Sequence, residues 1–319
     1  MTFDALLLLA LPASGKSEVR RYLDTADPGM RASDLHVAEP VHLDDYPYVH
    51  LMRRASVEAA ALGGEPPFFA DPSSPFLDAR DWLTLTHLLA EDWERLTRPA
   101  ARIGDPGTWI LDRFDAARRA AGAPPPISDP ALRSAVARAI AADAADVADD
   151  AVRGRPLDLA GKTVVVEFAR GGPDGAAPPL PAPLGYRASL ACLPRPLLER
   201  AVALYVRATP EQSRRRNRER AHPGPEGDAS ILHHGVPDAV LRADYGMDDF
   251  AWLVEHGRRP GTITVRAARG IVDLPAGVFD NHDDLTSFLR DDRGSWGDAD
   301  LERLHDRLRT VLDDLYLRR

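Results

Sequence analysis

The sequence predicts an α/β protein built on a parallel sheet. Three apolar runs carry that expectation. Ala5 to Leu9 is unbroken by polar residues and too short for a core helix, which is how a parallel strand buried on both faces reads. Val164-Val-Val-Glu167-Phe168 is a second, β-branched run of this kind, and Ala203-Leu-Tyr-Val-Arg207 is a third. Helical patterns fill much of the chain between them, and strands alternating with helices build parallel sheets.

Composition sets the bounds. At 319 residues the chain can bury a sizeable core as one large or two modest domains. Hydrophobic content of 44% with 28% charge is ordinary for a globular protein. The formal net charge of -9 makes the surface as a whole repel nucleic acid and anionic lipid, so no nucleic-acid or membrane partner is expected. Cys192 is the one cysteine, which excludes an intramolecular disulfide and a cysteine-rich metal site. Its neighbours Leu190, Ala191 and Leu193 mark it as a small buried residue. Leu6 to Leu9 is too short to span a membrane and has no basic region before it, so a cytoplasmic protein is expected.

The first strand runs into Ala10-Leu-Pro12-Ala13-Ser14-Gly15-Lys16-Ser17, and then into Glu18-Val-Arg-Arg-Tyr-Leu23, whose Val19, Tyr22 and Leu23 recur at helical spacing. Strand, small-residue loop ending Gly-Lys-Ser, then helix is the setting a phosphate-binding loop needs. A loop wrapping a polyphosphate must aim several backbone N–H groups inward, and the following helix adds its positive end. Lys16 would reach the terminal phosphates, and Ser17 would offer its hydroxyl to Mg²⁺. The pattern G-x-x-x-x-G-K-[ST] opens on glycine where this chain has Ala10, which makes the loop entry the point of departure. Lysine occurs only at 16 and 162 among 40 basic residues, so Lys16 stands out in a chain that prefers arginine. Gly161-Lys162-Thr163 ends in the same way but precedes its strand, and reads as a decoy.

Further along, Asp24 to Gly29 is a turn cluster, and Leu35 to Leu43 reads as a strand interrupted by Pro40. It ends in Asp44-Asp45, at the sheet edge where open α/β proteins place ligands. Either acid would orient or deprotonate an acceptor hydroxyl; the alternative is that the pair caps a turn before Pro47. Leu51 to Arg98 is largely helical, with Trp82, Leu85, Leu89 and Trp93 along one face as a core stripe and His87 in a structural place. Thr108 to Phe114 reads as either a short strand or the start of a helix, and Asp129 to Asp150 as one Ala-rich amphipathic helix. Glu167 ends its strand as an acid placed to contact a Mg²⁺ shell or to cap the next loop. Gly171 to Pro183 reads as a long mobile loop. Thr209-Pro210-Glu211 is a helix start, and the helix it opens carries five arginines between Arg214 and Arg220. They suit a lid closing on polyphosphate, or salt bridges to the Asp-rich surface. His233 and His234 lack a third ligand at fixed spacing.

These segments together resemble the P-loop kinase superfamily, in particular its nucleoside and nucleotide kinase branch. The matching parts are Ala10 to Ser17, Asp44-Asp45, Val164 to Gly171, Leu204 to Arg220, and Val278-Phe-Asp-Asn281. The resemblance implies a P-loop NTPase three-layer sandwich with a five-stranded parallel sheet of order 2-3-1-4-5, ATP and Mg²⁺ as cofactors, and phosphoryl transfer to a small-molecule hydroxyl or phosphate acceptor, nucleoside- or nucleotide-like. It implies a phosphate loop of Pro12, Ala13, Ser14, Gly15, Lys16, Ser17 and Glu18, with Arg214, Arg215 and Arg218 on the phosphates. Ser17 and Glu167 would lie near Mg²⁺, Asp44 or Asp45 near the acceptor, and Asn281 beside the adenine. One domain over 1–319 is expected, with residues 46–150 as a helical acceptor lobe and 210–250 as a lid. That lobe is far longer than the family's usual spacing, and Asp112, in an Asp-Arg element like that of thymidylate-type kinases, competes with Glu167. The rival reading is a nucleotide-binding ATPase or switch without a small-molecule acceptor.

Overall fold

The computed structural model describes residues 1–96, 98, 103–153, 156, 158–220 and 235–319. In chain order the elements are β1 (Ala5–Ala10), α1 (Lys16–Thr25), α2 (Pro28–Asp34), β2 (Glu39–Asp44), α3 (Tyr46–Ala61), α4 (Asp81–Arg95), α5 (Pro106–Ala120), α6 (Pro130–Ala139), α7 (Ala141–Arg153) and β3 (Lys162–Phe168). There follow α8 (Gly185–Cys192), α9 (Arg195–Leu198), β4 (Ala201–Arg207), α10 (Pro210–Arg220), α11 (Asp238–Asp244), α12 (Phe250–Glu255), β5 (Thr262–Ala267), β6 (Gly270–Asp280) and α13 (Asp298–Arg318).

The sheet is mixed and mostly parallel, in the order β2-β3-β1-β4-β6-β5. It has six strands where the resemblance implies five. The additional one, β5, is the antiparallel partner of β6 at the edge; the other five run parallel. Strand alternation divides the core. Leu6 and Leu8 of β1 pack with Val19 and Leu23 of α1 and with Leu304, Leu308 and Leu312 of α13, while Leu7 and Leu9 pack with α8 and α12 on the other face. A third apolar cluster belongs to the lobe between β2 and β3, where Met52, Leu85, Phe114 and Val136 meet.

Several local expectations change. β2 starts at Glu39 and carries Pro40 within it, which an edge strand tolerates because a missing N–H breaks no central ladder. Thr108 to Phe114 lies inside α5, capped by Asp105, so Asp112 is a helix-surface residue paired with Arg133 at 2.8 Å and stands far from a strand end. The Ala-rich segment is two helices that meet at Ile140. Cys192 is half-buried. Lys162 begins β3 and pairs with Glu39, at the opposite sheet edge from Lys16. Residues 171–183 are stitched to the segment around α11: Gly172 N donates to Met247 O and Asp174 N to Arg242 O, each at 2.9 Å. No helix of the described residues is long and apolar enough to cross a membrane.

Candidate functional site

The loop Leu11 to Gly15 leaves the carboxyl end of β1, and its carbonyl oxygens are held from outside. The Tyr186 hydroxyl donates to Ala10 O at 2.9 Å, Ser213 Oγ to Pro12 O at 2.6 Å, and Asn281 Nδ2 to Ser14 O at 2.7 Å. Ala13 and Gly15 take left-handed conformations, with φ of 53° and 105°. Ala10, the departure from the glycine pattern, stays extended at the end of β1, so the backbone freedom is required further on. At Gly15 it cannot be replaced: a Cβ would lie 2.4 Å from Thr286 Oγ1 and 2.5 Å from Asn281 Nδ2. Among the described residues no acceptor is found for the backbone N–H groups of Ala13 to Glu18. A loop of alternating handedness, with its N–H groups free at the start of a helix, suits an anion.

Charge is concentrated beside the loop. Lys16 Nζ lies 2.9 Å from Glu167 Oε2, and Arg20 Nη1 lies 3.3 Å from Glu167 Oε1 and 3.2 Å from Asp44 Oδ2. Burial would lower the lysine and raise the glutamate. The opposite charges outweigh it, so Lys16 is held above the usual lysine range and Glu167 below the usual carboxylate range. Asp44 goes the other way: burial and the neighbouring Glu167 push it up to about 6, against the pull of Lys16. Its Oδ1 accepts from Tyr46 N at 2.9 Å, so Asp44 does cap the turn. Asp45 is placed differently. Its Oδ2 receives Arg170 Nη1 at 2.6 Å, and Arg170, only 1% exposed, also donates to Thr86 Oγ1 at 3.0 Å. No donor is found for Asp45 Oδ1 among the described residues.

A cleft with a cavity volume of about 150 Å³ opens against this constellation. Pro12, Ala13, Lys16, Ser17, Asp44 and Asp45 line one end. Tyr46, Phe69, Phe76, Trp82 and Tyr245 line the other. The remaining candidates lie elsewhere. Ser14 and Gly15 are buried members of the loop itself, and the Glu18 side chain turns away to Arg290 at 2.6 Å. Glu167 is wholly buried beneath Lys16, off the cleft wall. Asn281, expected beside a base, is buried as the brace of the loop. The arginines of α10 also depart from expectation. Arg214 is drawn to Asp174 at 3.0 Å and Glu211 at 3.2 Å, Arg215 faces solvent near Glu219, and Arg218 is exposed; none lines the cleft. His233 and His234 lie outside the described residues.

Reading by sequence alone missed Tyr186, Ser213, Arg20, Arg53 and Asp244, and left Arg170 without a role. Ser213 alone had a local signal, as the small residue on the first turn of an otherwise charged helix. Its helix starts as the sequence predicts: Thr209 and Gln212 cap each other reciprocally, at 2.9 and 3.1 Å. Among the described residues no group of three or more His, Cys, Asp or Glu side chains is arranged to hold a metal ion. Comparison with protein-family models, curated proteins and solved structures finds no match.

Proposed function

We propose that this chain is a P-loop kinase: an ATP- and Mg²⁺-dependent phosphotransferase acting on a small molecule that carries a hydroxyl or phosphate acceptor. The observation that carries the reading is the β1–α1 loop, with three carbonyls pinned outward and the N–H groups from Ala13 to Glu18 left without an acceptor. That run of donors matches a chain of phosphate oxygens. Lys16 adds a cation, and Glu167 acts as a positioning residue that keeps it charged and aimed, its other carboxylate oxygen being held by Arg20. Mg²⁺ is commonly held by few protein ligands together with substrate phosphates, so Ser17, on the cleft wall, fits as its protein ligand without an all-protein cage. The ion would neutralise charge developing on the transferred group.

The acceptor would lie in the cleft beyond the loop, which favours a kinase over an ATPase without an acceptor. Of the two acids, Asp45 is assigned to it. Arg170 fixes one carboxylate oxygen and leaves the other facing the space where a hydroxyl would sit, whereas both oxygens of Asp44 are engaged. Isothermal titration should therefore find Mg²⁺-dependent ATP binding that Asp45→Asn preserves, while Asp45→Asn slows transfer about 100-fold or more. ATP that fails to bind, or an Asp45→Asn enzyme as fast as wild type, defeats the assignment.

A further inference from the structure

A larger cavity lies away from the β1–α1 loop. A trough of about 1040 Å³, against about 150 Å³ for the cleft at Lys16, runs between the lobe and the sheet. Arg200 and Arg269 line it, and they immediately precede β4 and β6. The trough therefore sits where these parallel strands begin, at the opposite end of the sheet from the candidate site. Its direction is set by α4. His87, Ala90, Glu91 and Glu94 line it with the spacing of one helix face, which continues for about 10 Å over two turns. Small side chains keep it open: Ala116, Ala117 and Ala120 come from α5, and Ala191 and Cys192 from α8. Trp93 and Leu159, which pack on the core beneath, add apolar surface. An apolar trough that follows a helix accommodates a chain better than a compact ring.

Charge selects the end group of that chain. Both acids that line the trough are already engaged: Glu91 by Arg95 at 2.7 Å and Arg113 at 2.8 Å, and Glu94 by Arg98 at 3.4 Å. Burial holds His87 below the usual histidine range, so it adds no charge at pH 7.5. On the sheet side Arg195 is taken by Glu199 and by Arg269 O, each at 2.7 Å. Arg200 and Arg269 are exposed, and among the described residues neither guanidinium is paired with an acid. A chain of net charge -9 thus carries a local positive surplus beside an apolar trough. The pocket joins a largely apolar lining to a few polar groups that fix orientation, as small-molecule sites do.

We propose that this trough binds the anion of a fatty acid, its alkyl chain lying along α4 between α5 and α8 and its carboxylate meeting Arg200 and Arg269. The site is separate from the phosphotransferase reading, and its test needs no ATP. Isothermal titration of the full chain would use octanoate, with butanoate as the short-chain control and octanol and octyltrimethylammonium as neutral and cationic bodies of the same length. Octanoate should bind once per chain, about tenfold or more tightly than each of the three controls. Arg200→Ala/Arg269→Ala changes two exposed residues, so it should melt as wild type does yet bind octanoate no better than octanol. Ala116→Trp, from an exposed position on α5, fills the trough and should abolish octanoate binding with the melting temperature unchanged. Absence of saturable binding, octyltrimethylammonium or butanoate binding as tightly as octanoate, or either variant binding octanoate as wild type does overturns the proposal.

Discussion

Asp44 and Glu167 are two carboxylates in one buried corner, and only one of them is well compensated. Glu167 has Lys16 at 2.9 Å and Arg20 at 3.3 Å, whereas Asp44 shares Arg20 and feels Glu167. The folded state therefore raises Asp44 from an ordinary 3.8 to about 6. An acid whose folded pKa is raised opposes folding once it ionises. Stability is lost as pH rises from about 4 to about 6 and stays lower above that window. Asp44→Asn keeps the acceptor for Tyr46 N and removes the charge. It should raise stability at pH 7.5 by about 1–3 kcal/mol in urea denaturation, with the advantage shrinking toward pH 5. An advantage that is constant with pH, or a loss, would show that Arg20 compensates Asp44 fully. The sequence made the two acids legible as a pair at a strand end. It gave no sign that Arg170, across β3, would neutralise Asp45 and leave Asp44 strained, because that contact joins residues far apart in the chain.

At the scale of elements, legibility followed locality. The β1–loop–α1 unit was readable because its apolar run, small residues and helix follow one another directly. The start of α10 was readable because Thr209 and Gln212 cap each other within one turn. What α10 does was not readable. Its arginines announce charge, but Asp174 and Glu211, which draw Arg214 aside, come from a loop and from the helix itself. Its inner face does different work: Ser213 holds Pro12 O, and Arg216, 1% exposed, holds Asn281 O at 2.9 Å. Asn281 in turn holds the Ser14 carbonyl and Thr286 Oγ1, at 2.7 and 2.9 Å. The loop thus depends on α10 and on the segment after β6 for its shape. Asn281→Ala removes a donor that lines no cleft, and it should still weaken ATP binding by about tenfold, since the loop would meet the phosphates without its preset conformation. Titration with ATP and Mg²⁺ reads this directly; unchanged affinity would mean that the loop holds its shape without the brace.

Over the whole molecule, a mostly parallel sheet covered on both faces sets one edge where β1, β2 and β3 end. The lobe between β2 and β3 brings its aromatic side chains to the same edge. The buried strands were legible because they announce themselves as apolar runs; their order around β1 was only what the family resemblance implied. The aromatic wall was not, since Phe69, Phe76, Trp82 and Tyr245 come from three separate segments and follow no period. Trp82 read as a core residue, and it is 5% exposed; it nevertheless lines the cleft. The central claim is that this edge transfers phosphate from ATP to a small acceptor. It is tested most directly by ADP formation with Mg²⁺ across pools of nucleosides, nucleotides, sugars and aminoglycoside-like alcohols. The blank is the double variant Lys16→Ala/Glu167→Gln, which removes both members of the ion pair and so strands no buried charge. Stimulation of wild-type turnover by one pool, absent in the double variant, is the predicted result; turnover that no pool stimulates, or that the double variant matches, would contradict it.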